Sequence, residues 1–205
     1  MSQNHSLTVG TIGAGKVAQT IARFALAAGD QVILSNSRGG ESLTELVSEL
    51  GPNASAGAVA EAAKADIVIL AVGWDQALDA LADLPDWDGQ IVIDTTNQWH
   101  EHDPGNPVDL GDQTGSEYIG TLMPRARVVK AFNTVFANKV AKTAGRSDDR
   151  LVIFLAGDDA DAKTTVSTFI DSMGLEPVDL GGLHDGGRLM QAGGPLNALH
   201  LAKIG

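Results

Sequence analysis

Short apolar segments alternate with segments of helical periodicity along most of the chain. Several apolar segments, such as residues 67–72 and 151–156, contain no polar alternation. Segments of this kind are typical of parallel strands that are covered on both faces of a sheet. The predicted strands are residues 7–12, 31–35, 66–72, 90–94, 128–132, 151–156 and 176–180.

Helical segments with recognisable ends lie between these strands. Residues 16–28 carry apolar side chains at helical spacing and stop at Gly29, and Ser42 with Glu45 fits a capping box at the next helix. The other predicted helices are residues 75–84, 115–123, 138–144 and 159–173. The alternation predicts an α/β fold, a doubly wound parallel sheet of the NAD(P)-binding Rossmann type. We expect residues 1–205 to form one such domain, with a short C-terminal helical segment at about 188–205 that "AGGP" interrupts.

Composition narrows the classes of partner and of chemistry. The chain has 205 residues, 43% of them hydrophobic, and a net charge of −12, so it lacks the basic surface that nucleic acid or anionic lipid requires. It has no cysteine, which excludes disulfides, thiolate metal sites and thiol nucleophiles. The polar start and the shortness of the apolar runs predict a cytoplasmic protein with no membrane partner.

The segment "TVGTIGAGKVAQTIA" has the pattern of a phosphate-binding loop between a strand and a helix. Gly13 permits the tight turn, Gly15 lets backbone amides approach a pyrophosphate, and Ala18 is small enough for close packing of helix on strand. The helix N-terminus then faces the anion. We therefore predict that this loop binds a dinucleotide.

The corner "SNSRGG" after the second strand predicts which dinucleotide is bound. NAD-binding proteins carry an acid near this point, about 20 residues beyond the glycine loop, that accepts hydrogen bonds from the ribose. Here no carboxylate follows Ser35 and Asn36; Ser37 supplies a hydroxyl and Arg38 a planar cation that suits a phosphate dianion. The corner therefore favours NADP over NAD.

An evident acid–base pair is missing from the sequence, and we predict no catalytic side chain. Tyr118 is not followed four residues later by lysine, which excludes the pair of short-chain dehydrogenases. In "WHEHDPGN", His100 and His102 alternate and could both face one side as metal ligands, but a solvated polar loop explains them as well. His184 in "GGLHDGGR" could approach a substrate but is interpreted as part of a surface turn, and no metal site is predicted. Hydride transfer to a carbonyl usually needs a proton donor, whereas transfer between two cofactors needs only stacking and exclusion of water.

Six segments together resemble one family over nearly the whole chain. They are "TIGAGKVAQTIA", "LSNSRG", "AVGWDQALD", "VVKAFNTV", "LAGDDADAK" and "LEPVDLGGLHDGGRLM". The sequence resembles the NADPH-dependent reductases of the deazaflavin coenzyme F420, the F420:NADP oxidoreductase-like proteins. The resemblance implies an oxidoreductase that moves hydride between NADPH and a deazaflavin.

The resemblance also implies roles for individual residues. The glycine loop holds the pyrophosphate, the corner surrounds the 2′-phosphate, and the segment from Ala71 to Trp74 lines the cofactor path. Asn133 and Thr134 lie by the nicotinamide, and the loop at 181–187 closes the pocket of the second ring. The candidate cofactor-binding residues are Gly13, Ala14, Gly15, Lys16, Val17, Ser35, Asn36, Ser37, Arg38, Ala71, Val72, Gly73, Asn133 and Thr134.

The sequence departs from the family pattern at three points; the first is tolerable, and the other two bear on the acceptor pocket. Ala18 stands in place of the third glycine, the loop at 97–113 has its own character, and the chain stops soon after Met190. A flavin or a quinone is therefore kept as a possible acceptor beside coenzyme F420. The alternatives are a reductase of a small carbonyl or imine, with water or His184 as proton source, and a non-catalytic sensor of NADP(H). Family members commonly associate, so we expect a homodimer with a small-molecule acceptor.

Overall fold

The apolar segments form one central sheet. The computed structural model describes residues 6–82, 84, 86–103, 105–143 and 149–204, without the side chains of 142 and 143. The polar start at 1–5, the predicted helix end at 144 and the last residue of the C-terminal segment, 205, lie outside the described residues. The strands are β1 Thr8–Ile12, β2 Gln31–Ser35, β3 Ala54–Ala56, β4 Ile67–Leu70, β5 Ile91–Asp94, β6 Arg127–Ala131, β7 Asp149–Gly157, β8 Glu176–Asp179 and β9 Ala202–Ile204.

The sheet has the strand order of a Rossmann fold, which confirms the predicted fold class. The order is β3-β2-β1-β4-β5-β6-β7-β8, and β9 pairs with β7. The first six strands in this order are parallel, so their carboxyl ends lie along one edge. The order reverses between β1 and β4, and the crevice at such a reversal is where ligands bind in open α/β sheets.

The sheet departs from the predicted parallel arrangement at β7. This strand runs antiparallel to β6, with Ala131 opposite Leu155 and Val129 opposite Gly157, and β9 runs antiparallel to β7. An apolar run predicts burial on both faces but contains no information about strand direction, so the reversal was not predictable from the pattern.

Helices cover both faces of the sheet. They are α1 Lys16–Ala28, α2 Thr44–Leu50, α3 Val59–Ala62, α4 Trp74–Ala82, α5 Gly115–Thr121, α6 Ala137–Thr143, α7 Ala160–Ser172 and α8 Asp185–Met190, with a 3-10 helix at Gly40–Leu43. Along β4, Ile67 and Ile69 pack under α1 and α7, whereas Val68 and Leu70 pack under α4 and α5. Both faces of the strand are thus buried, which explains its unbroken apolar sequence. The described part of the chain has no helix with both the length and the apolar character needed to cross a membrane.

Two predicted helix features differ from the structure. Ser42 does not cap α2, because its hydroxyl donates to the Gly39 carbonyl oxygen (2.7 Å) and also contacts Asn36, inside a 3-10 helix. The predicted helical segment at 188–205 is also wrong. The helix α8 ends at Met190, and the chain then passes through left-handed Gly193 and Ala198 into β9.

Candidate functional site

The glycine loop lies where β1 ends at the carboxyl edge of the sheet and α1 begins. Gly13 has φ 101°, and a Cβ there would lie 2.4 Å from the Ala71 carbonyl oxygen, so only glycine is accommodated. Gly15 caps α1, and a Cβ added to it would meet no atom within 4 Å. The first turn of a 13-residue helix therefore opens onto free space with unpaired backbone amides, the arrangement that binds phosphate.

A cleft of about 920 Å³ extends from this loop to the corner after β2. It brings together the loop, the corner and the segment after β4, which are three of the four groups of residues that the sequence predicted. The lining residues are Ile12, Gly13, Ala14, Gly15, Asn36, Ser37, Arg38, Val59, Ala60, Ala71, Val72, Gly73, Gln76, Asp79, Ala80 and Leu84. This volume lies within the usual range of sites that bind small molecules and cofactors.

The corner after β2 is shaped by Asn36. Its Oδ1 accepts a hydrogen bond from the Arg38 amide (2.9 Å), and its Nδ2 donates to the Ser42 hydroxyl (2.9 Å). Ser37 and Arg38 are exposed, and the Arg38 guanidinium has no ion-pair partner within the described ranges. An Asx-type turn thus presents an unpaired cation at the end of the cleft.

The structure corrects the role predicted for Ser35. Its side chain is fully buried, and its hydroxyl donates to the Thr11 carbonyl oxygen at 2.6 Å. Its own carbonyl oxygen accepts from the Gly13 amide at 3.1 Å. Ser35 therefore joins β2 to β1 and to the glycine loop from behind, and it is not among the residues that line the cleft.

A second chamber of about 330 Å³ adjoins the cleft, and Ala71, Val72 and Gly73 line both. The chamber also contains Val17 from α1. Its remaining lining residues are Trp74, Thr95, Thr96, Asn97, Trp99, His100 and Glu101. Lys16, the other predicted loop residue, is exposed at the start of α1 and lies outside both linings.

Asn133 borders this chamber through a pair of amide hydrogen bonds. Its Nδ2 donates to Asn97 Oδ1 (3.0 Å), and Asn97 Nδ2 donates back to the Asn133 carbonyl oxygen (3.2 Å). Asn133 Nδ2 also donates to the Met190 carbonyl oxygen at 2.7 Å, which ties the end of α8 to the site. The preceding Phe132 has φ 63°, a left-handed conformation that turns the chain sharply at the end of β6.

Several buried oxygens near this edge lack a hydrogen-bond partner among the described residues. They are Thr96 Oγ1, Gln98 Oε1, Asn133 Oδ1 and Thr134 Oγ1. Of these residues Thr96 lines the chamber. Buried polar atoms are normally satisfied, so its unpaired hydroxyl is a candidate ligand contact. Asn133 and Thr134, which the sequence resemblance assigned to the nicotinamide, are two of these four residues.

A buried ion pair below the chamber was missed by the sequence analysis. Lys130 and Asp94 lie opposite each other on β6 and β5, with side chains only 1% and 0% exposed and their charged atoms 3.4 Å apart. Asp94 accepts from the Ser116 hydroxyl (2.5 Å) and the Thr96 amide (2.9 Å), while Lys130 donates to the Thr96 carbonyl oxygen (3.1 Å). The sequence signal that could have revealed this pair is a lysine and an aspartate near the ends of two successive apolar strands.

Asp75, His100 and His102 meet at the entrance to the chamber. His100 Nδ1 lies 2.5 Å from Asp75 Oδ1, and the two imidazole rings are stacked at 5.2 Å. The Glu101 amide and the His100 side chain, both hydrogen-bonded to the Asp75 carboxylate, lower its pKa below the ordinary value. The sequence analysis had interpreted both histidines as loop residues.

The loop at 181–187 does not line the chamber, contrary to its predicted role. Leu183 accepts a hydrogen bond from the Thr114 hydroxyl through its carbonyl oxygen, and His184 Nδ1 lies 3.2 Å from Glu117 Oε1. Burial raises the pKa of Glu117, but hydrogen bonds from Thr114 and His184 outweigh it, so the pKa is below the ordinary value. The loop therefore packs on the start of α5, and His184 is not placed to donate a proton in the chamber.

Comparisons with known proteins agree with this architecture. Residues 8–98 match the family described as NADP oxidoreductase, coenzyme F420-dependent. The rat (Rattus norvegicus) metalloreductase STEAP3 is 30% identical over 176 residues, 85% of this chain, and the chain spans only 34% of that relative's length.

Two solved structures are similar over most of their length. A hypothetical protein of Sinorhizobium meliloti is 38% identical, with a TM-score of 0.89 and 98% of each chain covered. A proposed F420-dependent NADP reductase of Arthrobacter sp. FB24 is 26% identical, with a TM-score of 0.74, and the match covers 87% of this chain and 86% of that one.

Proposed function

We propose a hydride acceptor and a mode of NADPH binding for this chain, which belongs, through its residues 8–98, to the family of coenzyme F420-dependent NADP oxidoreductases. In our proposal it transfers hydride between NADPH and a flat acceptor, with coenzyme F420 as the first candidate and a flavin or a quinone as the second. The single observation that carries the proposal is that the cleft lined by the unpaired Arg38 and the chamber lined by Asn97 adjoin each other, since Ala71, Val72 and Gly73 line both.

The proposed position of NADPH follows from the chemistry along this cavity. The 2′-phosphate pairs with Arg38 and the Ser37 hydroxyl, since a planar cation with several donors suits a phosphate dianion. The pyrophosphate lies over Gly15, where the amides of the first turn of α1 are free. The nicotinamide then reaches the second chamber, where its carboxamide would pair with unpartnered oxygens such as Thr96 Oγ1.

The residues of the chamber position the rings and exclude water; they do not transfer a proton. NADPH supplies the hydride, and a flat acceptor takes it when its ring stacks on the nicotinamide. Trp74 and Trp99 provide apolar surface in the chamber lining for such stacking. The hydrogen bonds between Asn97 and Asn133 hold two strand ends at a constant separation, so the chamber keeps its width.

A panel assay tests this proposal. NADPH oxidation is followed by absorbance with coenzyme F420, flavins, quinones, a small imine and a small aldehyde as acceptors, each repeated with NADH. We expect turnover with a flat acceptor and NADPH, and much slower turnover with NADH. Turnover of the imine or aldehyde alone would replace this proposal by the reductase alternative. Tight NADPH binding without any turnover would support a sensor.

Gly15→Val is the matched negative variant. Its side chain enters open space in the free protein, so we expect normal folding and loss of NADPH binding because the pyrophosphate position is filled. Ala28→Val places the same side chain at the exposed far end of the same helix and should leave binding unchanged. NADPH binding by a folded Gly15→Val variant would contradict the position proposed for the pyrophosphate.

We also propose a homodimer. Phe136 is 60% exposed and Ile204 81% exposed, and Leu199 and Leu201 add apolar surface on the C-terminal segment. An interface that covers these side chains would remove them from water, which is favourable. Sedimentation equilibrium of the wild type and of Ile204→Asp tests this: a wild-type monomer at all concentrations would contradict it.

A further inference from the structure

Asp75, His100 and His102 form a cluster whose function is not explained by NADPH binding. Each side chain offers one ligand atom, and these atoms all lie within 4.8 Å of one another. Asp75 comes from the first turn of α4, whereas both histidines come from the loop after β5. Two imidazoles and one carboxylate from two separate elements thus converge on one point at the entrance to the chamber.

Hydrogen bonds already hold this cluster in place. The Glu101 amide donates to Asp75 Oδ2 at 2.9 Å, which leaves Asp75 Oδ1 directed at His100 Nδ1. Gln76 Nε2 donates to Glu101 Oε1 at 2.7 Å, so the loop is attached to α4 at a second point. Because the loop is fixed on α4, binding an ion would require little ordering of the chain.

The donor set and the spacing suit one class of ion. Imidazole nitrogens select zinc, cobalt, nickel and copper over magnesium and calcium, which prefer oxygen ligands alone. Bonds of about 2 Å in a tetrahedral site put ligand atoms roughly 3.3 Å apart. This value lies between two distances in the cluster. His100 Nδ1 and Asp75 Oδ1 are 2.5 Å apart, and all three ligand atoms lie within 4.8 Å of one another. Small side-chain rotations therefore suffice to form the site.

We propose that Asp75, His100 and His102 bind one divalent transition-metal ion, of the zinc or cobalt type, at the entrance to the chamber. Three protein ligands leave coordination positions open, as in sites that also bind water or a ligand oxygen. His100 and Glu101 line the chamber beside Thr95 and Asn97, so the ion would face the space proposed for the acceptor. The cluster is exposed, with the His100 side chain 47% accessible, so an ion can enter from solvent.

Titration of the full chain, free of any affinity tag and without NADPH, tests this inference with the metals alone. Zn²⁺ binding is measured by calorimetry, and Co²⁺ binding by the visible absorption bands of a low-symmetry cobalt site. We expect one ion per chain, no competition by excess Mg²⁺, and an affinity loss of about tenfold or more in either His102→Ala or Asp75→Asn.

His184→Ala is the matched control. His184 also lies beside a carboxylate, that of Glu117, but no third ligand is grouped with this pair in the described chain. The His184→Ala variant should therefore retain the wild-type affinity for Zn²⁺. Absence of Zn²⁺ binding, an equal loss in His184→Ala, or unchanged binding in His102→Ala would each overturn the site.

Metal binding can be measured independently of folding and of the proposed function. The described interactions of His102 are its stacking on the exposed His100 ring and the smallest of the effects on the Asp75 pKa, so His102→Ala should keep the wild-type melting temperature in the absence of metal. If Asp75→Asn is unstable, the Zn²⁺ affinity of His102→Ala alone decides whether the cluster is the metal site. Because no NADPH is present, metal binding can fail while the acceptor panel succeeds, and the reverse is equally measurable.

Discussion

The two ends of the cleft are built in different ways. The end where we place the phosphates, called the phosphate end, consists of two short segments, residues 13–17 and 36–38, which present the first-turn amides of α1 and the exposed side chains of Ser37 and Arg38. The other end, where we place the nicotinamide and which is called the nicotinamide end, is assembled from strand ends and loops that are far apart in sequence. Asn133 by itself contacts residues 36 and 57 positions away. One end is encoded locally, and the other depends on the whole sheet being formed.

The difference extends to what holds each end in place. At the phosphate end Arg38 remains solvated and unpaired in the described structure, so its charge is available to a ligand without breaking an existing contact. At the nicotinamide end both members of the buried pair hold the backbone of Thr96. Asp94 accepts a hydrogen bond from the Thr96 amide, and Lys130 donates one to the Thr96 carbonyl oxygen. We therefore expect substitutions at the first end to change binding and substitutions under the second to change stability.

The largest expected effect is at Lys130. Lys130→Met leaves the Asp94 carboxylate buried without its cation, which should lower the free energy of unfolding by about 3–5 kcal/mol. Denaturant unfolding measures the change. Lys64→Met, the same substitution at an exposed site, should change stability by less than about 0.5 kcal/mol.

A double variant and a ligand fragment sharpen this result. Adding Asp94→Asn to Lys130→Met removes the remaining buried charge and should restore part of the lost stability. The folded Lys130→Met protein should still bind adenosine 2′,5′-bisphosphate, which occupies only the phosphate end. Equal stability of Lys130→Met and the wild type, or loss of fragment binding by the folded variant, would remove the distinction between the two ends.

The next effect is at Arg38. Arg38→Ala should weaken NADPH binding by about 2 kcal/mol through loss of a charge-assisted contact, and leave NADH binding and protein stability nearly unchanged. Dissociation constants for both cofactors are measured by fluorescence titration. Arg23→Ala removes an exposed arginine paired with Glu49 on the outside of α1 and serves as the control. Equal losses for both cofactors would show that Arg38 does not contact the 2′-phosphate.

The smallest effect concerns Glu117, at the start of α5 next to Ser116. Its pKa is lowered in the fold, so its ionised form contributes stability above its unfolded pKa of about 4.3, and this contribution is lost as the pH falls through the folded value. Glu117→Gln can keep the hydrogen bond to the Thr114 amide and should cost less than about 1 kcal/mol at pH 7, because the pair is partly exposed.

Unfolding of the wild type and Glu117→Gln at a series of pH values measures this contribution. The difference in the free energy of unfolding should narrow as the pH is lowered from 7 into the acidic range. A difference that widens at low pH would mean that the ionised carboxylate is not stabilised by the fold.

The same contrast explains what could be predicted from the sequence. Gly13 and Gly15 were predictable because a tight turn into a helix restricts residue type within a few positions. The strand Gln31–Ser35 and the helix Lys16–Ala28 have the predicted bounds for the same reason. Ser35 was predicted to face the phosphate because it lies at the end of the second strand. The alternation of side chains along that strand instead directs its hydroxyl to the Thr11 carbonyl oxygen.

Contacts across the sheet were not predictable in this way. The pairing of Lys130 with Asp94 requires β5 and β6 to be neighbours in the correct register, and the direction of β7 depends on the connection after β6. The convergence of Asp75 on His100 likewise requires α4 and the loop after β5 to meet. Each of these features is set by tertiary structure, and no local pattern contains it.

The most direct test of the central claim is a crystal structure of the complex with NADPH. The account predicts the 2′-phosphate within hydrogen-bond distance of Ser37 and Arg38, the pyrophosphate over Gly15, and the nicotinamide in the chamber beside Asn97. A complex in which the adenosine phosphate lies away from residues 36–38, or in which the nicotinamide lies outside the chamber, would contradict it.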